Sequence, residues 1–277
     1  MDFSRYRGTN RQRASRTQGA RYRSSALLAT LLVPAWLAIA SPALADNPGY
    51  DRPGYGFTPV VLGAGDVTVE QGFPDWSRDH QDGVSSSMYS TDSLIRLGMG
   101  GPFELQLGGS AYNYLHETGA GINDSNHGHG DTNLAVKFAL PTSNKIFSWG
   151  LLASVEFTNG SKDFRNDQNQ YLLGAQFNLQ ADEKNSLGAY LEDVRAGGRD
   201  STTVAFSDNY SVSKSFTLYA ETAFLHAPDQ GSGTVAGGGL AWLVSPRVQI
   251  DAGFDHRVSG SAPEWQTNLG VSIYLGH

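Results

Sequence analysis

Histidine and aspartate are concentrated in one short glycine-rich stretch of the sequence, from His127 to Asp131. Two imidazoles and a carboxylate form a donor set that zinc or copper accepts. The stretch is predicted to lie in a loop rather than on a rigid element. His127, His129 and Asp131 are therefore weak metal candidates, and a solvated polar loop is the favoured interpretation. The sequence has no cysteine, which excludes thiolate ligands, disulfides and a thiol nucleophile. We predict no resident metal and no cofactor.

Two carboxylates in the C-terminal half share one face of a predicted strand, which raises the question of acid–base chemistry. Asp251 and Asp255 could form the carboxylate pair of a glycosidase. A period of two places both on the same strand face as Arg257, so a charge network is the favoured interpretation. His226 and His256 fall on the opposite face near strand ends, and no G-x-S-x-G motif is present. We therefore predict no catalytic residue.

The segments that carry these charges alternate between apolar and polar residues. In one of them, Phe103, Leu105 and Leu107 fall on one face, whereas Glu104 and Gln106 fall on the other. A period of two indicates β-strands with one face in an apolar medium and the other against polar groups. Twelve segments follow this pattern: 65–73, 91–99, 103–115, 131–140, 146–158, 169–180, 186–194, 202–213, 216–226, 234–244, 248–258 and 265–275.

The connections between these segments alternate in length, because five hold two to five residues and six are longer and polar. Tight turns on one rim and long loops on the other are typical of an outer-membrane barrel, with the turns in the periplasm. In hydrocarbon only a closed sheet satisfies every backbone hydrogen bond of its strands. We predict a single twelve-stranded antiparallel transmembrane β-barrel, an up-and-down meander over residues 64–277. A soluble two-sheet sandwich is the structural alternative. The longest connections, 74–90 and 116–130, are interpreted either as an inward-folded lid or as surface loops.

The N-terminal region differs in composition from the rest. Residues 1–45 combine seven arginines, an apolar run and a final Ala-Leu-Ala sequence. This is the pattern of a secretory signal peptide with an A-x-A cleavage site. Residues 46–63 are rich in Pro and Gly and are predicted to be a flexible lead-in. Subtracting seven of the 20 basic and one of the 27 acidic residues leaves 13 and 26 in the exported chain. This acidic balance argues against a nucleic-acid partner.

The polar face of each strand must line the lumen if the apolar face contacts lipid. By this parity the lumen carries more acidic than basic residues, which would raise the local concentration of cations. Asp208 and the stretch 234–244 fit the pattern poorly, and a bulge or a shifted register would explain both. The lumen-lining candidates are Arg96, Glu104, Tyr112, Lys137, Glu156, Glu192, Glu221, Asp251, Asp255 and Arg257.

Two motifs connect the sequence to a known family. A hairpin of the form RxG…ELxLG begins at Arg96, and a strand of the form GxGDxxLxxKFxLP begins at Gly128. From about residue 60 to the C-terminus the chain resembles the outer-membrane family named for the meta-pathway of phenol degradation, whose members are described as transporters. The resemblance implies an envelope β-barrel that passes small, often aromatic or apolar, molecules, and it implies no catalytic residues. The matching residues are Arg96, Gly98, Glu104, Leu105, Leu107, Gly108, Gly128, Gly130, Asp131, Leu134, Lys137 and Pro141.

Together these features predict a passive channel or transporter for a small solute in the outer membrane of a Gram-negative cell. The predicted partners are outer-membrane lipid, the solute and the outer-membrane assembly machinery. Many barrels end in an aromatic residue, whereas this chain ends in His277, with Tyr274 nearby. Two alternatives stay open. One is a non-conducting structural or adhesive barrel that acts through its extracellular loops, and the other is an outer-membrane hydrolase.

Overall fold

The regular structure of the described residues consists of β-strands. The computed structural model describes residues 49–81, 83–140, 146–228 and 230–276, so the predicted signal peptide lies outside the described residues. Within these ranges no helix is long and apolar enough to cross a membrane. The strands are β1 (Val67–Gly72), β2 (Asp75–Gln81), β3 (Val84–Gly100), β4 (Phe103–Gly119), β5 (Ile122–Gly128), β6 (Thr132–Phe138), β7 (Phe147–Phe157), β8 (Gln170–Gln180), β9 (Asn185–Ala196), β10 (Arg199–Ser211), β11 (Phe216–Ala227), β12 (Gly231–Ser245), β13 (Val248–Gly260) and β14 (Trp265–Leu275).

The strands form one closed antiparallel sheet. Both β1 and β2 pair with β3 on one side and with β14 on the other, so they are two halves of one interrupted barrel strand. In the same way β5 and β6 both pair with β4. Each remaining strand pairs with its neighbour in sequence, and β14 returns to the first strand. The predicted twelve-stranded, up-and-down antiparallel barrel is confirmed.

The burial pattern is the inverse of that of a soluble protein. Apolar side chains on the outer face are exposed, as in Leu173 (69%) and Phe206 (56%). Charged side chains on the inner face are buried, and both Arg96 and Lys137 are 0% exposed. An apolar outer face on a closed sheet is the arrangement that a lipid bilayer stabilises, because hydrocarbon accepts the side chains and the sheet satisfies its own backbone.

One side of the barrel is taller than the strands next to it. Strands β3 and β4 hold 17 residues each, whereas β7 and β8 hold 11 each. At about 3.3 Å per residue, six extra residues lengthen a strand by roughly 20 Å. The added length is flanked by β2 and β5, so four strands form an extension, here called the tall wall, above the neighbouring strands.

The tall wall corrects the interpretation of residues 74–90 and 116–130 as loops. Most of these residues lie in β2, β3, β4 and β5, and they form two hairpins rather than a lid. The first hairpin turns at Gly83, whose φ of +76° suits glycine. The sequence pattern failed here because Ser, Asp, Asn and His occupy both faces of the sheet. Without an apolar face the period of two disappears, although the backbone pairing continues.

The two segments that fitted the alternation poorly have different explanations. Asp208 pairs with Leu187 and Ala220 without any register shift, and it is exposed on the outer face. In β12 the register against β13 shifts twice, between Thr234 and Val235 and again near the end of the strand. The predicted bulge is therefore present in β12 and absent at Asp208.

Candidate functional site

The lumen contains the chain's own N-terminal stretch, residues 49–62, which we call the inner segment. Its side chains Tyr50, Phe57 and Leu62 are at most 7% exposed. The backbone N–H of Leu62 donates a hydrogen bond to the carboxylate of Glu104 at 3.0 Å. From residue 49 onward, the stretch predicted as a lead-in thus lies inside the barrel and contacts its wall.

One side of the lumen holds a buried ion cluster of five charged residues. The Arg96 guanidinium donates to Glu104 at 2.8 and 3.0 Å and to Glu70 at 3.0 Å. The Lys137 ammonium donates to Asp51 at 2.9 Å and lies 3.1 Å from Glu104. The wall residues of the cluster are fully buried. Removal of Arg96 or Lys137 would leave buried carboxylates uncompensated, which destabilises a fold strongly.

Asp51 belongs to the inner segment and links it to the ion cluster. Burial raises the pKa of Asp51, but the positive charges of Arg96 and Lys137 outweigh that effect and hold the pKa below its ordinary value of 3.8. The side-chain amide of Gln106 also donates to Asp51, at 2.9 Å. Asp51 is therefore ionised at neutral pH and attaches the inner segment to this wall.

The next residue, Arg52, attaches the inner segment to a second part of the wall. Its guanidinium donates to Asp75 at 3.0 and 3.1 Å, and its Nε donates to Asp251 at 3.4 Å. Its carbonyl accepts a hydrogen bond from Gln249 at 3.0 Å. Burial lowers the pKa of Arg52, but the carboxylates of Asp75 and Asp251 outweigh it and raise the pKa overall. Asp51 thus binds basic side chains of the wall, and the next residue, Arg52, binds carboxylates on nearby strands.

Part of the lumen is packed with apolar side chains around Phe57 of the inner segment. The Phe57 ring meets the Tyr190 ring edge-on, with centroids 5.9 Å apart, and the Lys137 ammonium lies 5.6 Å from the Phe57 centroid. The inner segment therefore fills space as well as pairing charges. The other buried members of this cluster are Ala205, Ala223, Leu225, Val235 and Ala262.

A small open recess lies beside this apolar cluster, near the longer connections. Val194, Leu225 and Ala262 contribute apolar surface to it, and Glu192 contributes a carboxylate. The Tyr190 hydroxyl donates to Glu192 at 2.5 Å. The recess thus combines an apolar lining with one hydrogen-bonded acid.

Most of the residues predicted from the sequence to line the lumen are buried inside the barrel, whereas Glu192 and Arg257 are partly exposed. Glu192 is half-buried at the recess, and Arg257 donates to Asp79 at 2.9 Å. What these residues contribute to solute passage remains a prediction. Seven of the predicted residues are at most 7% exposed: Arg96, Glu104, Lys137, Glu156, Glu221, Asp251 and Asp255.

Tyr112 does not line the lumen, so its assignment was wrong. It is 48% exposed and stacks with His127 on the outer face. The pairing of β3 with β4 shifts between Ser90 and Asp92, which adds a residue on β4 and reverses the faces beyond it. Asn113, fully buried, takes the inward position instead.

The weak metal candidates are not brought together. Asp131 is buried and accepts hydrogen bonds from the backbone N–H groups of Gly160 and Asn166, both at 2.7 Å. His127 stacks on Tyr112 at the outer face. Within the described ranges, no group of three His, Asp or Glu side chains is placed to hold a metal ion. Asp131 instead anchors the loop that follows β7.

The residues that the sequence did not suggest are Asp51 and Arg52. They lie in a Pro- and Gly-rich stretch without alternation, so no period assigned them to a face. The only signal is compositional, because a charged pair flanked by Tyr50 and Tyr55 is unusual in a solvated linker.

Tyr55 attaches the inner segment to a third part of the wall. The backbone N–H of Tyr55 donates to Glu221 at 2.9 Å, and burial raises the pKa of the Tyr55 side chain.

Comparison with known proteins supports this architecture. The fold is similar to the crystal structure of the COG4313 outer membrane channel from Pseudomonas putida F1, with a TM-score of 0.62 and 11% identity over 78% of this chain and 97% of that chain. It is also similar to the KdgM porin in complex with disordered oligogalacturonate, with a TM-score of 0.50 and 12% identity over 76% and 99% of the two chains.

At these identities the structural likeness shows the fold alone. Comparison with curated proteins finds no match. A family model matches residues 50–275, and the chain belongs to the family described as "Putative MetA-pathway of phenol degradation".

Proposed function

We propose that the protein is a passive outer-membrane channel for small solutes, and that the inner segment is its internal barrier. The observation that carries the proposal is the paired attachment of Asp51 and Arg52. Asp51 binds the ion cluster, whereas Arg52 binds Asp75 and Asp251. A solute could pass only after the inner segment shifts from at least one of these attachments. The barrel wall stays intact when that happens, because the segment contributes no strand to it.

The solute class that fits best is small and at least partly apolar. Phe57 and Tyr190 contribute aromatic rings to the apolar cluster inside the barrel, and the recess adds apolar side chains next to Glu192. The family description refers to phenol degradation, which agrees with ring-sized solutes. In the proposed function the solute passes through the barrel without an enzymatic step.

Planar-bilayer recording tests this function. The mature protein is compared with an Asp51→Asn/Arg52→Gln variant, in which both attachments of the inner segment lose their charge. A matched control is Asp200→Asn/Arg195→Gln, which removes an exposed ion pair of 3.7 Å near the outer rim. We expect a several-fold larger conductance in the first variant and no change in the control. Equal conductance in all three proteins would show that the inner segment is not the barrier.

The tall wall favours one second candidate, a structural or adhesive barrel that acts outside the membrane. Its four strands extend beyond their neighbours and carry polar residues on both faces. This role predicts that neither the wild type nor the Asp51→Asn/Arg52→Gln variant conducts ions or passes solutes in liposomes. A flux in either protein would support the channel instead.

A further inference from the structure

The inner face of β11, β12, β13 and β14 carries two neighbouring rows of polar residues. In one row Tyr219 of β11 and Asn268 of β14 flank two strands that contribute only glycine. In the next row Glu221 of β11 and Asp255 of β13 flank Gly237 of β12. Four oxygen-bearing side chains therefore surround a floor without side chains.

The glycines leave room that the polar groups enter. A Cβ atom on Gly253 would collide with the Tyr219 hydroxyl and would lie 2.9 Å from the Asn268 amide nitrogen. A Cβ atom on Gly237 would lie 2.5 Å from a carboxylate oxygen of Asp255. The Tyr219 side chain thus reaches across β12, and the carboxylate of Asp255 lies over Gly237. The result is a recess in the lumen wall that is lined with oxygen atoms.

Two of these oxygen atoms, Oε1 of Glu221 and Oδ1 of Asp255, have no hydrogen-bond partner in the part of the chain that the structure describes. The Tyr219 hydroxyl and the Asn268 side chain contact each other and meet no further polar partner there. The four side chains are only 2–9% exposed. Unpaired buried acceptors are costly, so a native structure normally satisfies them with water or a bound ion.

The charge of this recess also lacks compensation. Arg52 pairs with Asp251, which lies on β13 closer to the short turn between β12 and β13. No basic side chain among the described residues pairs with Glu221 or Asp255. Glu104 differs from these two acids, because Arg96 and Lys137 both contact its carboxylate. The acids that can attract a mobile cation are therefore not those of the ion cluster.

We infer that Glu221, Asp255, Tyr219 and Asn268 form a binding site for a compact monovalent cation, either an alkali ion or the primary ammonium group of a small amine. The inference rests on the proposed function and adds to the lumen an element that attracts cations, beside the apolar cluster around Phe57. The two carboxylates supply the attraction, and the neutral oxygens replace part of the hydration shell. Conduction requires that a bound ion also leaves, and a single charge is held weakly enough for that.

Ion selectivity tests the site in an open channel. The reversal potential in a KCl gradient is measured in the Asp51→Asn/Arg52→Gln background, alone and with Glu221→Gln or Asp255→Asn added. The control is Glu156→Gln, which removes another buried inward carboxylate, one that Asn166 already hydrogen-bonds. Loss of one charge at the site should lower the cation-to-anion permeability ratio on the order of three- to tenfold. An equal loss in the control would overturn the inference, because selectivity would then reflect only the total lumen charge.

A binding measurement keeps the inference testable if no protein conducts. The unfolding temperature of wild type in detergent is measured in chloride salts of potassium, methylammonium and tetramethylammonium at equal ionic strength. Potassium or methylammonium should raise it by about 2–4 °C over tetramethylammonium. Asp255→Asn should abolish that rise, and Glu156→Gln should keep it.

The two salts distinguish the two forms of the ligand. A rise with potassium alone assigns an alkali ion, and a rise with methylammonium alone assigns an amine. The proposed site would be refuted if neither potassium nor methylammonium raised the unfolding temperature, or if the rise persisted in Asp255→Asn. Binding without conductance would leave the site in place and refute the channel function.

Discussion

Arg96 shows how a single residue holds several carboxylates inside the barrel. It contacts Glu70 and Glu104 and also donates to the carbonyl of Gly49 in the inner segment, at 3.0 Å. Replacement by Met keeps the length of the side chain but leaves buried carboxylates without their partner. We expect Arg96→Met to lower the free energy of unfolding by about 3–5 kcal/mol, measured by denaturant titration in detergent.

Arg195 provides the matched control for that change. It pairs with Asp200 at 3.7 Å, and the Arg195 side chain is 65% exposed. Exposed pairs contribute little, so Arg195→Met should cost about 1 kcal/mol or less. If the two substitutions cost the same, burial of the ion cluster would not be what makes Arg96 important.

Asp51 gives the stability of the barrel a defined dependence on pH. Its folded-state pKa lies below 3.8, so the ionised group stabilises the folded protein above pH 3.8, and this contribution is lost as the pH falls through the lowered value. The difference in unfolding temperature between wild type and Asp51→Asn should stay constant from about pH 8 to pH 5 and shrink below about pH 3.8. A difference that grows towards acid pH would contradict the assignment. The groups that face Asp51 are Arg96, Lys137, Glu70, Glu104 and Gln106.

The sequence predicted individual residues well wherever a strand crosses an apolar layer. Glu104, Lys137 and Asp251 were placed on the inner face by parity alone, and all three are fully buried there. Tyr112 was misplaced by one added residue, because a bulge leaves no mark on composition. Asp51 could not be placed at all, since its partners are set by tertiary contacts far away in sequence.

At the scale of elements, the position of the inner segment can be tested with single introduced cysteines, because the sequence has no cysteine of its own. Leu62 is 1% exposed and Val60 is 42% exposed, although they are two residues apart. A single cysteine at either position is the only thiol in the chain. Leu62→Cys should react with a water-soluble maleimide at least about tenfold more slowly than Val60→Cys, because a buried thiol is inaccessible to the reagent. Similar rates at both positions would mean that the segment does not stay inside the lumen.

The surroundings of each strand determine whether the sequence could predict it. Hydrocarbon enforces an apolar face, so the strands within the membrane show a period of two that the sequence reveals. Above the membrane both faces of a strand meet water, and β2 and β5 therefore look like loops in the sequence. The seven residues of β5, for example, include Asn123, Asp124 and Ser125. Their strand conformation comes from pairing with β4, which periodicity does not report.

For the whole molecule the decisive contact is the seam between the first and last strands. Val69 of β1 lies opposite Ile273 of β14. Opposed residues of antiparallel strands have Cα atoms about 4.5–5.5 Å apart, within the range that a disulfide spans. Oxidised Val69→Cys/Ile273→Cys should therefore keep its folded gel mobility on heating until a reductant is added.

A displaced pair controls for chance oxidation of the seam variant. Leu269 pairs with Ala252 on β13 and lies four residues along β14 from Ile273, about 13 Å away. Val69→Cys/Leu269→Cys should not acquire resistance to heating. Resistance in the control, or none in the seam variant, would exclude the closed register described above.

The uneven height of the barrel has a consequence for anything that meets the cell from outside. A rim of equal height would present the same surface to every particle that approaches it. Here the strands β3 and β4 are longer than β7 and β8 by roughly 20 Å. In the orientation that the proposed channel function assumes, with the longer connections outside, an antibody or a phage would touch the hairpin tips near Gly83 and Gly121 before it reached the mouth of the lumen. A small molecule can approach over the low side. The uneven rim would thus hold large particles away from the mouth of the lumen, while small solutes reach it over the shorter strands.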